Sequence, residues 1–165
     1  MTNRYGKLNK IQAYIGGGIL CALAFFFKKM VTSPVLLLYT PGIGELLPPL
    51  WILNTLGYAA CFAIGACLCT TLLSECSVLS EAVTKYRGCV YLILAVVGGF
   101  SWYFLLFDAR LVLLSWGVSM ISLMSMVITA FLWRRIFKAC SILLFLAGLW
   151  WLYILILQLI VMLHI

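Results

Sequence analysis

Residues 111–138 read LVLLSWGVSMISLMSMVITAFLWRRIFK, and this stretch decides the fold. Its first part, Leu111–Trp133, carries no charge; Arg134, Arg135 and Lys138 then follow almost at once. A helix rises about 1.5 Å per residue, so about 20 apolar residues cross the hydrocarbon of a bilayer. An uncharged run of that length, closed by a basic cluster, reads as a membrane span whose charged end rests at the water interface.

The same punctuation repeats on both sides. The segment 139–165 follows without a charge, and 88–107, 46–74 and 11–27 precede it, likewise uncharged. The spacing predicts helices over about 11–27, 49–73, 88–107, 111–133 and 139–163, within a single transmembrane domain spanning 1–165. The expected fold class is therefore all-α: an integral membrane protein built as a five-transmembrane-helix bundle. A sixth uncharged run, 30–44, holds Pro34, Pro41, Gly42 and Gly44, and reads as a loop or short re-entrant piece. The first run reads as a span rather than a cleaved signal, because Phe25-Phe26-Phe27-Lys28-Lys29 is a poor small-residue cleavage site.

Composition agrees. Of 165 residues, 66% are hydrophobic and 9% charged, the net charge is +7, and the mean hydropathy is +1.20. A soluble domain is about half apolar and a quarter charged. A soluble enzyme, a disordered chain and a nucleic-acid-binding domain are all excluded, and no nucleic-acid partner is expected. The partner implied is the lipid membrane.

Charge also orients the chain. With five spans, Arg4, Lys7, Lys10, Lys85, Arg87, Arg134, Arg135 and Lys138 fall on one side, against Lys28, Lys29 and Arg110 on the other. The positive-inside rule puts the N-terminus in the cytoplasm and the C-terminus, with His164, outside. The one-sided bias and fully apolar helices fit a bacterial plasma (inner) membrane better than a barrel-type outer membrane.

Much chemistry is missing. His164 is the lone histidine and no acidic residue lies inside any predicted span, which argues against a metal site and against an ion-coupled pump. Neither metal nor cofactor is expected. The seven cysteines show no CxxC or tetrahedral spacing and read as small buried hydrophobes. Small residues at four-residue spacing (Gly57, Cys61 and Gly65; Ala59 and Ala63; Gly18 and Ala22) suit close helix packing, either within the bundle or at a homodimer seam.

The aromatic residues are the main positive signal: six Trp, eight Tyr and ten Phe. Trp133 reads as an interfacial ring beside Arg134 and Arg135. Trp51, Trp102 and Trp116 fall in the outer parts of their spans, and Trp150 and Trp151 near the middle of the last. Taken together they suggest a flat, apolar, stackable pocket, although each ring alone also fits lipid contact or packing. Asn54 and Gln158 are the costliest polar side chains within spans, so both should face the interior. There they would orient a planar ligand or hydrogen-bond between helices.

At this point the chain resembles the TspO/MBR family of tryptophan-rich sensory proteins, which includes the mitochondrial translocator protein. Size, span number, the long first loop and the short later loops match. Pro48-Pro49-Leu50-Trp51 is similar to the family's Pro-Pro-x-Trp, and Tyr39 precedes it at the family's distance. Phe100-Ser101-Trp102-Tyr103-Phe104 resembles its third-helix ending, and Phe131-Leu132-Trp133-Arg134 its fourth. Trp150, Tyr153 and Gln158 keep its fifth-helix spacing, with Gln in place of Asn. The Gly-Pro-x-Trp that follows the family's second-helix motif is absent from Ile52-Leu53-Asn54-Thr55-Leu56-Gly57. The family's third-helix Asn falls near Val97 and its fourth-helix Asp near Ser115 or Trp116.

The resemblance implies a homodimeric receptor that binds porphyrins or other flat hydrophobic ligands, and that in some members transports or photo-degrades them. It implies ring stacking by Trp51 and Trp150, with Gln158, Tyr153, Trp102, Asn54 and Tyr39 as further candidates for the ligand site. Two alternatives stand beside the receptor: Trp-dependent photo-oxidative porphyrin degradation, and the substrate-binding subunit of a vitamin importer. Five spans and Pro48-Pro49-Leu50-Trp51 count against the importer.

Overall fold

The computed structural model describes residues 10–30, 50–76, 78–107 and 109–163. They form five helices: α1 (Lys10–Met30), α2 (Leu50–Leu73), α3 (Leu79–Phe107), α4 (Val112–Trp133) and α5 (Lys138–Leu163). The protein is an all-α membrane bundle. Four helices are long and apolar enough to cross a bilayer, while the described apolar part of α1, Lys10–Phe26, is shorter. At most a third of each spanning window is buried, and large apolar side chains are exposed on every helix, as lipid-facing surfaces require. Each helix satisfies its own backbone hydrogen bonds, the condition for crossing hydrocarbon.

Two helices run past the limits read from charge. α3 starts at Leu79 rather than near 88, and α1 continues through Lys28 and Lys29 to Met30. A charge marks the edge of the hydrocarbon, not the end of the i→i−4 ladder. The polar first turns of α3 are held locally: Ala82 N–H donates to Val78 O at 3.0 Å, and Thr84 Oγ1 to Ser80 O at 2.9 Å. Lys85, placed by the charge pattern in a loop, is instead a buried residue of α3. Its ammonium donates to Ser74 O at 2.6 Å and Leu72 O at 3.3 Å, so it caps the carbonyl end of α2.

Packing order follows from close approaches. α3 packs along α4, α4 on α5, and α5 on α2; α2 and α3 touch sparsely and close a four-sided bundle. α1 lies outside it, packed chiefly along α2. The α1–α2 seam is backbone on backbone. Gly16 abuts Gly65, with Cys69 and Leu20 beside them, and Gly17 lies under the Phe62 ring. Gly65 is therefore occupied within the chain, while Gly18 and Ala22 face outward. The tighter face of α1 is Gly16–Leu20, one residue pair away from the Gly18–Ala22 pair expected from spacing.

α4 buries a stripe of Ser115, Ser119, Ser122, Ser125 and Thr129 among its neighbours α3 and α5. Small side chains let the backbones close up where burial of apolar surface gives no drive. Most of their hydroxyls bond back to the helix: Ser115 to Val112 O at 2.7 Å, Ser122 to Val118 O at 3.0 Å, and Thr129 to Ser125 O at 2.8 Å. Thr129 also donates across to Gly88 O at 3.3 Å, and Ser122 lies against Gly98.

The apolar core sits at the end of the bundle where α4 passes to α5. Cys67, Cys89, Leu92, Ala130, Trp133, Phe137, Cys140 and Leu144 form it. Trp133 is fully buried rather than interfacial. Gly88 leaves the space that its indole fills, and the ring meets Phe137 edge-on at 5.8 Å.

Candidate functional site

The opposite end is aromatic. There the last turns of α3 and α5 meet the first turns of α4. α5 carries consecutive indoles at 150 and 151, about 100° apart on a helix, so they address different neighbours.

Trp151 turns toward α3 and α4. It meets Trp102 edge-on, with ring centroids 5.4 Å apart, and donates from Nε1 to Ser119 O at 3.1 Å. Gln158, two turns further along the same face, is almost fully buried. Its Oε1 accepts from Trp102 Nε1 at 2.7 Å. Its Nε2 donates to Ser115 Oγ at 2.6 Å and to Val112 O at 3.3 Å. Both amide hydrogens and a carbonyl lone pair are thus engaged inside the bundle, tying α3, α4 and α5 together.

Trp150 turns toward α2. Its Nε1 sits over Gly57, 4.0 Å from where a Cβ would stand. Tyr153, one turn on, stacks at a tilt with Trp150, centroids 5.5 Å apart. Tyr58 follows Gly57 on α2, and Tyr103 lies on α3. Tyr103 packs edge-on against Trp102 at 6.3 Å. Tyr58, Trp102, Tyr103, Trp150 and Tyr153 are all half-buried, so their rings border both the bundle and the space beside it.

Of the residues singled out from the sequence, the fold brings Trp102 and Gln158 into direct contact, and joins Trp150 to Tyr153 on a neighbouring face. Tyr39 lies outside the described residues, as do the side chains of Trp51 and Asn54, whose backbones belong to α2. Sequence reasoning counted Trp151 among the rings but not as the partner of Trp102, and passed over Ser115 and Ser119 as partners of this end. The 4-3-3-4 spacing of the Ser/Thr stripe was the available signal.

This end offers flat apolar rings, phenol hydroxyls and indole N–H groups. Ser119 Oγ and Trp116 Nε1 are buried there without a hydrogen-bond partner. Such a surface binds by stacking and shape, with few polar contacts to set orientation. Among the described residues, no three His, Cys, Asp or Glu side chains converge as a metal site. No protein family, curated protein or solved structure matches the chain.

Proposed function

We propose that the chain is a membrane receptor of the TspO/MBR kind, binding a porphyrin-like or other flat hydrophobic molecule among the rings that α2, α3 and α5 share. The observation that carries the reading is the half-buried pair Trp150 and Tyr153 on α5, turned toward Gly57 on α2, with the half-buried pair Trp102 and Tyr103 on α3. Aromatic faces there give a planar ligand large contact area at little entropic cost. The Trp102–Gln158–Ser115 network beside them holds one wall rigid. In this reading the receptor works as a homodimer in a bacterial plasma membrane, with the N-terminus cytoplasmic and the C-terminus outside.

The test is a titration of the detergent-solubilised protein with protoporphyrin IX in the dark, then under light. Saturable tryptophan quenching at micromolar ligand, above that of empty micelles, is expected. Its absence overturns the porphyrin reading. Intact porphyrin after illumination marks a receptor, and bleaching that requires Trp150 marks the photo-oxidative alternative.

A further inference from the structure

At the other end of the bundle, away from the aromatic site, exposed cations converge on one depth. Arg87 directly precedes the uncharged run 88–107, Arg134 directly follows 111–133, and Lys138 directly precedes 139–165. All three, with Arg135, are exposed. The fold brings their backbones together across the α3–α4 seam. Thr129 Oγ1 donates to Gly88 O at 3.3 Å, and the Trp133 indole fills the space beside Gly88, so Arg87 and Arg134 flank the same contact. The connection to α5 is a tight turn, with Phe137 N–H donating to Trp133 O at 2.7 Å and Ile136 N–H to the same oxygen at 3.1 Å. That turn keeps Arg135 and Lys138 close to Arg134.

Among the described residues, none of these four cations forms an ion pair with a carboxylate. The carboxylates nearest in sequence, Glu75 and Glu81, belong to the α2–α3 connection and the first turn of α3. On the face of α3 that carries Arg87, the exposed side chains Val90, Leu94 and Val97 continue toward the middle of the span. Arg87, at the hydrocarbon edge, thus stands above an open apolar track.

We infer that Arg87, Arg134, Arg135 and Lys138 form a binding site for the phosphate headgroup of an anionic phospholipid, with its acyl chain along Val90, Leu94 and Val97. Guanidinium forks match phosphate oxygens bidentately, and basic pockets at the ends of membrane helices favour anionic headgroups. A zwitterionic lipid brings its own cation into the same cluster, which offsets the attraction of its phosphate and makes it the weaker ligand. A soluble phosphate has no use for the apolar track.

The experiment compares purified protein in nanodiscs of phosphatidylcholine alone and of phosphatidylcholine mixed with phosphatidylglycerol. It reads the lipid retained after mild detergent extraction. The wild-type protein is expected to retain phosphatidylglycerol selectively. The R87Q/R134Q/R135Q variant should lose that selectivity, by about fivefold per charge removed. The R87K/R134K/R135K variant guards against misfolding and should keep much of the preference. K10Q, at the same end of the bundle but on α1, should keep all of it. Equal retention of both lipids by the wild type overturns the inference, as does unchanged selectivity in the triple glutamine variant. Displacement of the retained lipid by inorganic phosphate alone also overturns it, in favour of a soluble-anion site.

Discussion

The indole Nε1 of Trp102 on α3 donates a hydrogen bond of 2.7 Å to Oε1 of Gln158 on α5. These residues stand 56 positions apart, and the bond spans two helices joined mainly through α4. Gln158 passes the connection on to Ser115 at 2.6 Å. Interhelical polar bonds in membranes average about 0.6 kcal/mol and reach about 1.7. A double-mutant cycle of W102F and Q158L, read by reversible SDS unfolding in mixed micelles, should therefore give a coupling of about 1 kcal/mol. Strict additivity of the two substitutions would show that the bond adds nothing.

Ligand binding should depend on Trp150 more than on Trp116. Trp150 stacks with Tyr153 above Gly57, whereas Trp116 lies on α4. Trp150→Leu is expected to weaken protoporphyrin IX binding by about tenfold, the order set by loss of one aromatic pair and its area. Trp116→Leu should change affinity by less than about twofold on the same grounds. Equal losses in dark titrations would move the ligand away from the α2–α5 face.

The α1–α2 seam makes a matched pair of glycine substitutions informative. A Cβ on Gly16 meets the Gly65 backbone and Cys69, whereas one on Gly18 meets open space. G16A should destabilise the bundle by about 1–3 kcal/mol through overpacking. G18A should be neutral or stabilising by up to about 1 kcal/mol, because alanine restricts the unfolded chain and favours helix. Indistinguishable unfolding midpoints for the two variants would contradict the seam.

Lys85 couples α3 to the end of α2. Replacing it by alanine leaves Leu72 O and Ser74 O without their ammonium donor. A loss of about 1.5–3 kcal/mol is expected, as for hydrogen bonds to charged groups. Hydrogen exchange should rise at the last turn of α2 before it rises elsewhere. Uniform exchange along α2 would show that the cap has no local role.

Arg110 stands in the left-handed region, with φ of 55°, between α3 and α4. The reversal around it is closed by Ala109 N–H donating to Phe104 O at 3.1 Å and Leu111 N–H to Leu105 O at 2.8 Å. A side chain in that conformation costs about 1–2 kcal/mol, and glycine avoids the cost. R110G should raise stability by about 1 kcal/mol, measured in the same SDS titration. A destabilised R110G variant would mean that the guanidinium makes contacts worth more than the strain.

The all-helical membrane bundle was legible because the bilayer imposes a one-dimensional rule. The uncharged runs 111–133 and 139–165 match α4 and α5 closely, since apolar length alone decides what crosses hydrocarbon. The same rule misled at α3, where Lys85 and Arg87 end the apolar window but not the helix. It misled again at Trp133, where adjacency to Arg134 suggested an interface and Gly88 supplied an interior slot.

Part of the candidate site was legible too. Trp102, Trp150, Tyr153 and Gln158 stood out as costly or bulky groups within spans. Which of them meet was not. Along a lipid-exposed helix nearly every position is apolar, so periodicity does not separate the face toward lipid from the face toward a neighbour. Trp150 and Trp151 are chemically identical and adjacent in sequence, and the register of α5 against α2 and α4 assigns them opposite roles. By itself the sequence determined that the chain forms an all-helical membrane bundle and where charges end each apolar window, because transfer into a bilayer depends on local composition. The tertiary structure alone decided that Gln158 closes on Trp102 and Ser115, and that Gly16 closes on Gly65. Those pairings depend on the rotation and stagger of whole helices, and backbone approach and long-range hydrogen bonds set these.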